Sequence, residues 1–131
     1  SMNYSKPINN IDAPLVIGNA VKDNIAEVIF FKKELNQPQK VIVQNYLSAK
    51  YQIAFTGEGA SDVANIYTHD AYTKEVIGVG KANYGAVTES HLASSGGALQ
   101  LEAVGSTFEA GEFVFAGHNG AANSDDNASK T

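Results

Sequence analysis

Hydrophobic and polar positions along this chain fall into short alternating or apolar runs separated by turn residues. Pro14-Leu15-Val16-Ile17-Gly18 reads as a short strand bounded by breakers. Residues 25–35 carry Ile25, Val28, Ile29, Phe30, Phe31 and Leu35. They fit a helical face in part, with Asn24 and Glu27 at capping-box spacing. The adjacent phenylalanines and the β-branched pair favour a strand. Asn36-Gln37-Pro38-Gln39 then reads as a turn into Lys40-Val41-Ile42-Val43, which together predict a hairpin. Tyr51, Ile53 and Phe55 alternate with Gln52, Ala54 and Thr56, the period of a half-buried strand.

Residues 63–68 are a further strand candidate, turned by His69-Asp70-Ala71-Tyr72 into Glu75-Val76-Ile77-Gly78-Val79-Gly80. The glycines in that run suggest a bulge or close backbone approach. Residues 81–97 are weakly patterned, and Ser94-Ser95-Gly96-Gly97 is the strongest loop signal in the chain. Residues 98–104 and 112–116 complete the set of strands. Many short strands with turns between them, and no alternation with long helical patterns, predict an all-β fold. The expected form is a mostly antiparallel β-sandwich or partly open barrel. The expected organisation is a polar N-terminal arm over 1–13, a single β-rich domain over 14–117 and a flexible, small-residue C-terminal tail over 118–131.

Composition sharpens this picture mainly by exclusion. At 131 residues the chain is one ordinary domain, able to bury about two thirds of the surface its unfolded form exposes. There is no cysteine, so disulfides, thiolate metal sites and cysteine nucleophiles are excluded. The formal net charge is −5, and all nine basic residues are lysine. Without arginine, the usual bidentate reader of phosphate and guanine, an acidic chain is not expected to bind nucleic acid. No apolar run approaches the length needed to span a bilayer, and the N-terminus lacks the order of a signal peptide.

Candidate chemistry is sparse. His69, His91 and His118 have no metal-ligand spacing, and surface or loop histidines account for them. Glu89-Ser90-His91 supplies residue types for acyl transfer, but adjacent residues on a strand point to opposite faces. Glu58, Asp62, Glu102 and Glu112 would serve a glycosidase pair, yet fourteen acids are more simply explained by solvated strand faces. The 57–62 loop lacks the acid pattern of a calcium loop, and the glycines at 78, 80 and 85 do not fit a dinucleotide fingerprint. Asn3 and Asn127 match the glycosylation pattern by chance.

Tyrosines at strand ends and loops, with the histidines beside them, form the best binding set: Tyr67, His69, Asp70, Tyr72, Tyr84 and His91. Such rings can stack on sugars or anchor a protein interface, or can serve as half-buried sheet residues. No cofactor or metal is expected. The leading functional expectation is a non-enzymatic structural or assembly subunit, of a viral particle or another surface array, that pairs with itself or with another protein. The alternatives are a β-sandwich module that binds a ligand such as carbohydrate, and a small enzyme with His69 or His91 as general base.

Overall fold

The computed structural model describes residues 17, 22, 24–54, 65–105 and 108–120. The chain divides into two compact units, Ser1–Lys32 and Lys33–Thr131. In the first unit the described residues form neither helix nor strand. The strand expected over 25–35 is therefore absent. Ile25 and Phe30 are exposed, Phe30 by 70%. A strand needs a partner to satisfy its backbone, and the partner expected for this one, residues 40–43, is helical.

The second unit begins with α1, Gln37–Tyr51. This replaces both the hairpin turn at 36–39 and the strand at 40–43, and it takes in Tyr51 from the alternating run that follows. Local signals set where this helix starts. Asn36 accepts a hydrogen bond from the Gln39 N–H, and the Gln39 side chain accepts one from the Asn36 N–H, both at 3.0 Å. This is a reciprocal capping box, with Pro38 in the first turn where its missing N–H costs nothing. Pro38, Val41, Ile42, Asn45 and Ala49 are buried, which is helical spacing on one face. Asn45 interrupts the apolar stripe, so the period is hidden in a reading of hydrophobicity alone. The helix stops at Gln52, which adopts φ 55 and returns its N–H to the Ser48 carbonyl.

Five strands follow: β1 Lys74–Tyr84, β2 Val87–His91, β3 Ala93–Gly96, β4 Leu99–Glu102 and β5 Phe113–His118. All pairings are antiparallel. One sheet has the order β2-β1-β5, and β3-β4 form a separate hairpin. Lys74–Gly80 of β1 pairs with β5, and Gly80–Tyr84 pairs with β2. The weakly patterned 81–97 region thus holds the end of β1 and two strands, and Ser94-Ser95-Gly96 is strand rather than loop. Cross-strand pairing supplies what the side chains of that region do not. No strand forms over residues 65–68, while residues 55–64 lie outside the described residues.

The core sits around β1, where Val76–Gly80 is continuously buried. Both α1 and the β3-β4 hairpin pack on this strand. Ile42 of α1 and the Phe115 ring lie over Gly78, and Ile77 meets Gly96 of β3. Burial of Val41, Ile42, Val76, Ile77 and Val79 contributes about 1.5–3 kcal/mol each. The unit is mostly strand with one helix, and its sheets close no barrel among the described residues. The strand expected at 112–116 runs instead as Phe113–His118, so His118, expected as the first residue of the tail, is the last residue of β5. The expected arm over 1–13 and residues 121–131 lie outside the described residues, as do the 57–62 loop and both glycosylation patterns.

Candidate functional site

Three segments of the second unit converge on an open groove of about 400 Å³. Tyr67, His69 and Tyr72 come from the connection between α1 and β1, Leu99 from β4, and Phe115 and His118 from β5. Asn45, 0% exposed, positions the first segment. Its Nδ2 donates to the Val41 carbonyl and its Oδ1 accepts the Tyr67 N–H, both at 2.9 Å. The Tyr67 hydroxyl then donates to the Tyr72 carbonyl at 2.5 Å, closing a six-residue turn. This bond crosses Gly117 so closely that any Cβ there would collide with both partners. Burial, followed by the neighbouring Tyr72 phenol, pushes the Tyr67 pKa above its ordinary value, so its hydroxyl remains a donor at neutral pH.

The rings form a continuous aromatic wall. Tyr67 meets His69 edge-on, with centroids 5.7 Å apart, and lies 6.0 Å from Phe115. Phe115 stacks on Phe113 at 5.8 Å. The polar edge comes from a bulge. β1 carries one extra residue relative to β5 between Lys74 and Ile77, and Glu75 sits there at φ 50. A non-glycine residue in this region costs about 1–3 kcal/mol and marks a place that the surroundings hold in shape. The bulge turns the Glu75 carboxylate over Gly97 in the β3-β4 turn and onto His118. There Oε2 lies 2.8 Å from His118 Nε2.

Of the residues expected to bind, Tyr67, His69 and Tyr72 meet at this groove. Asp70 lies on the other side of His69, in a smaller hollow of about 210 Å³ against the end of α1. Tyr84 and His91 lie elsewhere, beside the start of α1. The Lys40 ammonium sits 5.7 Å over the Tyr84 ring and 3.7 Å from Glu34. His91 Nδ1 lies 3.5 Å from Gln39 Nε2. Because the Gln39 carbonyl oxygen is engaged in the capping box, its NH₂ faces the imidazole. Nδ1 is then an acceptor and His91 is neutral. Burial pushes its pKa down in the same sense. Both residues join the β1-β2 hairpin to the helix, with Glu89 accepting the Gln37 N–H at 2.7 Å.

Leu99, Phe115, Glu75 and the pairing of His118 are the additions that sequence reasoning lacked. The only signal for Glu75 was the glycine-rich strand around it. No group of three or more potential metal ligands exists among the described residues, and no helix there is long and apolar enough to cross a membrane. Comparison with protein-family models, curated proteins and solved structures gives no match to this chain.

Proposed function

We propose that this chain is a non-enzymatic binding module whose groove takes a small polar ring compound, with carbohydrate as the ligand class. The observation supporting this reading is the convergence of Tyr67, His69, Tyr72, Phe115 and His118 from separate segments on one open groove. A sugar ring presents an apolar C–H face and a polar rim. The aromatic wall matches the first, and the imidazoles of His69 and His118 match the second. The groove's volume is within the range of small-molecule sites. The β3-β4 hairpin over β1 is consistent with the second layer of a small sandwich.

Calorimetric titration against a panel of mono- and oligosaccharides tests the proposal. Binding that weakens about tenfold or more in Tyr72→Ala and His69→Ala supports it, the loss expected when a central contact is truncated. Silence across the panel from a folded chain removes carbohydrate as the ligand.

The assembly reading has its own support. β5 has no second strand partner among the described residues, and Val114 on it is 46% exposed. On β2, at the opposite edge, Val87 is 62% exposed. Open edges template pairing with another chain. Light scattering across a wide concentration range distinguishes the cases. A discrete oligomer favours assembly, and a monomer near 13.8 kDa throughout ends it.

A further inference from the structure

Asn119-Gly120 is the one Asn-Gly step in the sequence. Such a step is the least shielded against attack of a backbone nitrogen on the preceding side-chain amide, because glycine has no Cβ. The step lies directly after β5, and both residues are exposed to water. The Gly120 N–H donates to His118 Nδ1 at 2.9 Å. The other ring nitrogen, Nε2, faces the Glu75 carboxylate at 2.8 Å. An ionised carboxylate only accepts, so Nε2 carries the ring proton and Nδ1 presents its lone pair to the Gly120 N–H. Carboxylate, imidazole and nucleophile thus stand in a line, the arrangement that activates a weak nucleophile. Here the nucleophile is a main-chain nitrogen. Gly120 has φ +80, and the Lys74 ammonium occupies the space beside its α-carbon.

We propose that Asn119 is a self-modifying residue, deamidated through a succinimide with His118 as the base and Glu75 as the residue that positions it. The Gly120 nitrogen bonds to the Asn119 side-chain carbonyl carbon, and its proton passes to His118 Nδ1. The carbon–nitrogen bond to the side-chain NH₂ breaks. That nitrogen takes the proton from His118 and leaves as ammonia. Water then opens the five-membered imide at either carbonyl and leaves aspartate or isoaspartate at 119. The net exchange is one water consumed and one ammonia released, with no oxidant or reductant. A new carboxylate then stands next to the groove residue His118. The proposal does not depend on which ligand the groove takes.

The test follows Asn119 conversion in the full chain at neutral pH, by peptide mass spectrometry and isoaspartate-specific methylation, in buffer and in denaturing urea. The folded chain is expected to react at least about tenfold faster than the denatured one, a decade below the usual contribution of a positioned base. A folded rate equal to or below the denatured rate overturns the proposal, and this comparison needs no variant. His118→Gln, once shown to be folded by circular dichroism, is expected to bring the rate down to the denatured value. Retention of the wild-type rate overturns the role of His118. Glu75→Gln is expected to lower the rate and displace its pH profile. Among the described residues, the other ionisable groups around the imidazole are Lys74, beside Gly120, with Tyr67, His69 and Tyr72 across the groove. An unchanged profile removes Glu75 from the mechanism.

Discussion

Asn45 is the residue on which the groove depends. It is wholly buried on the helical face, and it satisfies the N–H of Tyr67, the first residue of the aromatic wall. Asn45→Ala leaves that N–H without its partner. It is expected to lower stability by about 1–3 kcal/mol, as a shift in urea midpoint at unchanged slope. His91 carries a pH dependence whose direction follows from burial. Its folded-state pKa lies below the unfolded value, so the unfolded chain takes up the proton first as the pH falls. Stability from this group is complete above the unfolded imidazole value of about 6.5 and declines as the pH drops through the interval below it. His91→Gln should flatten the urea midpoint against pH over that interval. An unchanged slope would show that the half-buried imidazole is not its source.

At the scale of elements, α1 owes its start to Asn36. This side chain closes the capping box and also donates to the Ser90 carbonyl at 3.0 Å, so it ties the helix to β2. Asn36→Ala is expected to cost about 1–2 kcal/mol, at the upper part of the range for a lost cap. The Gln37 N–H keeps its bond to Glu89. Reduced helical circular dichroism at intermediate urea would report the loss locally. The same region explains why the helix was not legible as a hydrophobic pattern. Val41, Ile42 and Val43 resemble a strand in composition, and the capping signal lies at Asn36 and Gln39, where Pro38 suggested a turn. β1 was legible because Val76, Ile77 and Val79 are β-branched and buried together.

At the scale of the whole molecule, the groove is a product of topology. β1 passes through the middle of its sheet, and β5 returns beside it to bring Phe115 and His118 against the 65–73 connection. A ligand seated there touches several segments that separate on unfolding. A saccharide identified by titration, supplied at about one hundred times its dissociation constant, is therefore expected to add about 2.7 kcal/mol to stability. Tyr72→Ala, binding about tenfold more weakly, should lose about half of that increment or more, read as the difference in melting temperature with and without sugar. An increment retained in the variant would place the binding site elsewhere.

The sequence by itself determined the β-rich character, the first half of β1, the approximate positions of β4 and β5, and the presence of ring-bearing residues at 67, 69 and 72. Strand propensity, turn residues and local alternation act over a few neighbours, and these features need nothing more. Tertiary structure decided the rest. It made residues 37–51 a helix because the packed face runs Pro38, Val41, Ile42, Asn45, Ala49, with a polar residue that only Tyr67 makes intelligible. It separated Tyr84 and His91 from the groove by placing the β1-β2 hairpin against the start of α1. It brought Glu75 onto His118, 43 positions away, through a bulge that exists only because β5 pairs with β1 in that register. Contacts between distant positions depend on strand order and register, and a single sequence specifies those through the sum of packing rather than through any local pattern.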